Sequence, residues 1–188
     1  AATTPPRRSW REMSKTSLEQ WLQRLETIHP REVELGLERI CRVAHALGLL
    51  PVSPPVITVA GTNGKGSTVS VLEALLQEAG YRTGTFTSPH LLRFNERIRI
   101  AGVDVSDAEI ITAFAAIDEA RGAVSLTYFE FAALAALLVF KARAADVLVL
   151  EVGLGGRLDA VNMVEPSVAV ITSIDLDHQS WLGDSRGE

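Results

Sequence analysis

The stretch that decides the fold is VITVAGTNGKGSTVSVL, residues 56–72. An apolar, β-branched run of five residues meets a loop with glycines at 61, 64 and 66 around Lys65, and an apolar helical pattern follows. The run is too short for a helix and reads as a strand buried on both faces, of the kind found inside parallel sheets. The glycines give the backbone freedom to turn several N–H groups inward at the strand's end. The next helix adds partial positive charge at its N-terminus, and Lys65 adds a full one. A loop so built binds a polyphosphate. The plain alternative is a tight strand-to-helix turn carrying a surface lysine.

Working outward, the same alternation recurs. Leu18, Trp21, Leu22, Leu25 and Ile28 keep a helical period that His29-Pro30 stops, and a second helix is predicted from about Leu35 to Leu47, closed by Gly48. After the loop, Val69, Leu72, Leu75, Leu76 and Ala79 are predicted to form one helix face ending at Gly80. TGTFTS (83–88) is the next strand, and RIRIAGVDVSD (97–107) predicts a small hairpin turning at Ala101-Gly102. Ser106 with Glu109, and Thr127 with Glu130, are capping boxes that open two further helices. DVLVLEV (146–152) and SVAVITSI (167–174) are two more buried strands. Strand and helix in alternation predict an α/β fold: a three-layer domain of the nucleotide-triphosphatase kind, its parallel sheet covered by helices on both faces, with a small β-hairpin excursion.

Composition bounds the partners. At 188 residues and 47% hydrophobic the chain can bury a substantial core, and a net charge of −5 shows no basic excess that would call for nucleic acid or an anionic membrane. The longest apolar run, FAALAALLVF (131–140), is far shorter than the ~20 residues that span a bilayer. A single cysteine, Cys41, excludes an internal disulfide framework, suits a reducing compartment and falls at a core position among Leu37, Ile40 and Ala44. The expected location is cytoplasmic and the expected state monomeric, with a small molecule as partner. Residues 1–17 are polar, carry two prolines and read as a flexible N-terminal arm ahead of a domain over 18–188.

The strict nucleotide motif G-x-x-x-x-G-K-[ST] is not met, because Val59 stands at its first glycine and Gly66 follows the lysine. GTNGKGS (61–67) instead resembles the ATP loop of the Mur-type ligases, and within them the folate-ligase branch, dihydrofolate synthase/folylpolyglutamate synthase. ELGLERI (34–40), TSPHLLRFNERIRI (87–100), LTYFEF (126–131), EVGLGGRLDAVN (151–162) and DHQSWLG (177–183) support the same resemblance, in order.

The resemblance implies an amide ligase. ATP would phosphorylate the carboxylate of 7,8-dihydropteroate, and the amine of L-glutamate would attack the acyl phosphate; folate derivatives would have their glutamate tails extended in the same way. It implies ATP contacts from Thr62, Asn63, Gly64, Lys65, Gly66 and Ser67, although Ser67 also fits a plain helix-terminal hydroxyl. It assigns Mg2+ to Ser88, Glu151 and His178. Oxygen donors at strand ends suit that ion, whereas the chemistry of His178 alone leaves it as phosphate or metal neighbour. For Glu151 the other reading is a structural carboxylate, though a glutamate ending a buried strand calls for a counter-charge. Lys65, Glu151 and His178 are the candidate catalytic residues.

For dihydropteroate the resemblance implies contacts from Glu32, Val33, Glu34 and Leu35, from Thr127, Tyr128, Phe129 and Glu130, and from Leu158, Asp159 and Ala160. The Asp159 carboxylate matches the paired N–H groups on a pterin edge. Phe129 lies against the ring or, in the duller reading, in the core with Phe131. Where relatives commonly read D-A-T-N, this chain has Asp159-Ala160-Val161-Asn162, one hydroxyl fewer. His29, His45 and His90 receive no chemistry. The resemblance also places a second α/β domain after this one, so the chain is expected to be truncated before it and not to ligate by itself. Two other readings stay open: a Mur-type ligase with another acceptor, and a non-catalytic nucleotide-binding module.

Overall fold

The computed structural model describes residues 16–29 and 34–175. Helix α1 (Leu18–Ile28) opens on a capping box made by Ser17 and Gln20 and buries Leu18, Trp21 and Leu25. Helix α2 (Glu38–Ala46) starts three residues later than its apolar pattern predicts, because Glu34–Gly36 run as an irregular loop. Strand β1 (Val56–Ala60) leads through the glycine loop into α3 (Lys65–Glu78). Then come β2 (Thr83–Phe86), a 3-10 turn (Phe94–Arg97), β3 (Ile98–Ile100) and β4 (Val103–Asp104). Helices α4 (Asp107–Arg121) and α5 (Tyr128–Ala142), β5 (Val147–Glu151), a 3-10 turn (Ala160–Met163) and β6 (Val168–Ile171) complete it.

The sheet has six strands in the order β4-β3-β2-β5-β1-β6. Strands β2, β5, β1 and β6 are parallel, so the α/β reading holds. The predicted small hairpin is β3–β4, and it is joined to the sheet: β3 pairs antiparallel with β2, Thr85 opposite Arg99. Its turn uses Ala101 and Gly102, both at positive φ, the backbone that a two-residue hairpin loop requires. Both predicted capping boxes form: Ser106 accepts from the Glu109 amide and Thr127 from the Glu130 amide.

Two cores lie on the two faces. The larger joins α1, α2, α4 and α5 to one side of the sheet, with Trp21, Phe86, Phe114, Phe131 and Ile117 fully buried. The smaller packs Val69 of α3 against Val59 and Val149. Here one expectation fails: Leu75 is 63% exposed and Ala79 is exposed, while Glu73 is buried. At roughly 100° per residue, Leu75 lies about 120° around the helix from Val69, whereas Glu73 and Leu76 flank it. Glu73 is accommodated by partners. Its Oε1 accepts from the Thr85 hydroxyl at 2.7 Å and its Oε2 from Arg99 Nη2 at 2.7 Å, tying α3 to β2 and β3.

Candidate active site

The C-terminal ends of the parallel strands point to one edge, where ligands of such sheets bind. Four loops meet there: residues 61–64 after β1, 87–93 after β2, 152–159 after β5 and 172–175 after β6. A cavity of about 1010 Å³ opens beside them, and Lys65, Ser88, Glu151, Phe129 and Asp159 all line it.

The glycine loop is held by its neighbours. Thr62 N–H donates to the Ser173 carbonyl at 2.7 Å, its hydroxyl donates to the Asp175 carbonyl at 3.0 Å and accepts from the Asp175 amide at 2.9 Å, and Asn63 forms an isolated bridge with Ser173. Gly61, at φ +132°, cannot be otherwise: a Cβ there would sit 2.1 Å from Thr172 Oγ1. Gly64 at φ +85° takes the N-cap position of α3 in the left-handed region, with no side-chain cap. Ser67 lies exposed in the first turn of α3, a helix-terminal hydroxyl as both of its readings have it, though not the N-cap itself. Lys65 folds back over the loop, its Nζ donating to the carbonyls of Gly61 at 2.8 Å and Thr62 at 3.2 Å.

Glu151 ends β5 at 4% exposure. Its Oε2 accepts the Ser88 amide at 2.9 Å, and its Oε1 faces the loop, 3.8 Å from where a Cβ on Gly66 would lie. Burial pushes this carboxyl up, against the pull of the Ser88 amide and of Lys65. Among the described residues no ion pair reaches it. A buried carboxylate with one hydrogen bond among the described residues, and a serine tied to it through the backbone amide, offer oxygen donors of the kind that suits a hard divalent cation keeping several waters. His178 lies outside the described residues, and among those described no cluster of three His, Cys, Asp or Glu side chains forms.

The cavity is lined also by Tyr128, Phe129, Leu158, Asp159, Ala160 and Leu35. Phe129 leans on Phe86, ring centroids 5.6 Å apart, and its ring occupies the space above Gly153, where a Cβ would come within 2.6 Å. Phe131 is fully buried in the core. Asp159, 4% exposed, braces the loop after β5: Oδ2 accepts from the amides of Gly153 at 3.1 Å and Leu154 at 2.9 Å, and Oδ1 from Val161 at 3.0 Å. Burial raises its carboxyl to about 6 in spite of those amides. Three lone pairs are thus committed, leaving Oδ1 one for a ligand.

Glu34 is likewise engaged, with Arg39 and, at 3.2 Å, with His29. Arg39 reaches on to Glu130 at 3.2 Å, so the loop before α2 is pinned to the start of α5. The Glu130 Oε2 accepts the Thr127 amide at 2.7 Å. The expected contacts Glu32 and Val33 lie outside the described residues. His29 and His90, given no chemistry by sequence, both line the cavity, as does Arg97. The signal for His29 is its place at the end of an amphipathic helix, and for Arg97 its place immediately before a buried strand; neither identifies a cavity until the fold brings the ends together.

Lys65, which follows the glycine loop, and the strand-end carboxylate Glu151 thus line one cavity of a mostly parallel-sheet domain, the build of a Mur-type nucleotide-binding domain. The chain belongs to the Mur ligase family, residues 59–185 matching the Mur ligase middle domain. It is similar to the dihydrofolate synthase/folylpolyglutamate synthase of Escherichia coli (strain K12), with 53% identity over 169 residues, 90% of this chain and 40% of that protein. The solved structure of E. coli FolC in complex with DHPP and ADP superposes with a TM-score of 0.90 at 51% identity, covering 92% of this chain and 42% of that one. A bifunctional folylpolyglutamate synthase/dihydrofolate synthase with Mn, AMPPNP and L-glutamate bound gives a TM-score of 0.86 at 55% identity, over 92% and 42%. The chain spans about 40% of the length of the curated relatives it matches.

Proposed function

We propose that this chain is the nucleotide- and acid-binding part of an ATP-dependent ligase that joins L-glutamate to dihydropteroate and lengthens the glutamate tail of folates. One observation carries the reading: Lys65, the Glu151–Ser88 pair and the Phe129–Asp159 wall border a single cavity. The relatives' bound ADP, AMPPNP, Mn, DHPP and L-glutamate support it. In this reading the loop and Lys65 hold the triphosphate, while the acid lies along Phe129 and presents its carboxylate to the γ-phosphate. Transfer of that phosphoryl group makes an acyl phosphate and ADP. The glutamate nitrogen then attacks the acyl carbon, losing a proton as phosphate leaves. Ser88 and Glu151 would hold magnesium, which when bound neutralises phosphate charge. Charge placement carries most of the rate.

Calorimetry on the purified chain tests this. AMPPNP with Mg2+ and, separately, folate or dihydropteroate are expected to bind, and a UDP-muramoyl acid is not. Binding of the muramoyl acid in place of the pteroates would assign another acceptor, and failure of AMPPNP to bind would remove the ligase reading.

A further inference from the structure

Resting on the ligase reading for the source of its ligand, we propose that Arg97 is a carboxylate-binding group of the cleft, separate from the phosphate loop. It would take a carboxylate of the acid substrate or of the glutamate unit joined to it. Arg97 closes the 3-10 turn before β3 and is 9% exposed. Its Nε donates to His90 Nδ1 at 2.8 Å, and its guanidinium carbon lies 5.7 Å from the Phe94 ring and 5.6 Å from the Tyr128 ring. One edge of the planar group is thereby held by His90, with the Phe94 and Tyr128 rings beneath its carbon.

A guanidinium withdrawn from water needs a carboxylate. Two other arginines of this region have one: Arg39 pairs with Glu34 and Glu130, and Arg99 with Glu73. Arg97 has none among the described residues. Its neighbour Glu96 is turned away, accepting the amides of Leu91 at 2.7 Å, Leu92 at 2.9 Å and Arg93 at 2.6 Å. The Nη groups make no hydrogen bond within the described residues, neither is sealed from solvent, and the residue lines the cavity. A pair of parallel N–H donors with nothing opposite matches a carboxylate in the bidentate manner. Position separates this cation from the phosphate site: Lys65 acts on Glu151 and Asp159, whereas Arg97 acts on His90 and Tyr128. His90 is the positioning residue, its Nδ1 lone pair fixing the Arg97 edge.

The test is calorimetry on the chain and its Arg97→Met and Arg97→Lys variants with three probes. These are N-(4-aminobenzoyl)-L-glutamate, 4-aminobenzoate and 6-hydroxymethylpterin, which has no carboxylate. The expected result is at least a tenfold loss of affinity for the aminobenzoyl-glutamate in Arg97→Met, partial recovery in Arg97→Lys, and unchanged pterin binding. A parallel loss with 4-aminobenzoate assigns the carboxylate that is activated; a loss confined to the conjugate assigns a carboxylate of the glutamate unit. Equal binding of both the conjugate and 4-aminobenzoate by wild type and Arg97→Met, equal losses of conjugate and pterin, or binding of neither carboxylate probe by wild type overturns the proposal. Should Arg97→Met not fold, Arg97→Gln carries the same comparison. Absence of pterin binding in the wild type would sink the pteroate reading and leave the carboxylate assignment to the conjugate.

Discussion

The Ser88 amide donates to Glu151 Oε2 at 2.9 Å, so the loop after β2 and the end of β5 are joined by the carboxylate itself. Glutamine at 151 keeps an acceptor for that amide and nearly the same volume but loses the charge. Glu151→Gln is therefore expected to fold and to bind AMPPNP at least tenfold more weakly with Mn2+ present, with little change in the metal-free affinity. Calorimetry with and without Mn2+ checks this; equal losses in both conditions would mean that Glu151 only braces the loop.

Asp159 sets a pH dependence of stability. Its folded carboxyl titrates at about 6 against an ordinary 3.8, because burial outweighs the amides that hold it. The folded state therefore binds a proton that the unfolded chain has released. This contribution is greatest below the unfolded value, falls as pH rises from about 4 to about 6, and is level above that. The gap is worth about 3 kcal/mol. The stability difference between wild type and Asp159→Asn, measured by urea denaturation from pH 4 to 7, should move against the wild type by that order as pH rises.

Gly61→Ala forces a Cβ toward Thr172 Oγ1 and two backbone atoms of residues 172 and 173, at φ +132°. Strain and overpacking together should destabilise by about 3 kcal/mol. A lower urea midpoint with an unchanged slope is the expected reading. By contrast Gly153→Ala meets only the Phe129 ring, at 2.6 Å from its Cζ. Because Cζ lies on the axis about which the ring turns, the whole side chain has to swing aside, so the effect is expected in folate affinity more than in the denaturation midpoint.

Buried Glu73 has both oxygens occupied by Thr85 and Arg99. Removing either charge alone leaves the other without its partner, at a cost of about 3 kcal/mol. Glu73→Gln and Arg99→Met should each destabilise, and the double variant should fall short of their sum by more than 1 kcal/mol. Additive losses in urea melts would show that the pair is not energetically coupled.

The elements that were legible in sequence are those whose cause is local. The β1 run, the Ser106–Glu109 and Thr127–Glu130 boxes and the Ala101-Gly102 turn each carry their instruction within a few residues. What escaped depends on partners distant along the chain. Periodicity offered Leu75 to the core, yet Glu73 is buried, because Thr85 and Arg99 wait on neighbouring strands to receive it. The amide contacts of Asp159, the clamp on Arg97 and the meeting of His29 with Glu34 arise only when loops from separate strand ends converge. Pattern picks out the glycine loop; it does not say which charged side chains around it are already occupied.

Lys65 is itself occupied, by the carbonyls of Gly61 and Thr62. If the loop holds a triphosphate as proposed, the ligand would have to displace those carbonyls from the ammonium, and its net affinity would be the difference between two sets of hydrogen bonds. On that reading the lysine returns to its own loop when the nucleotide leaves, and the hydrogen bonds that weaken capture would also ease release.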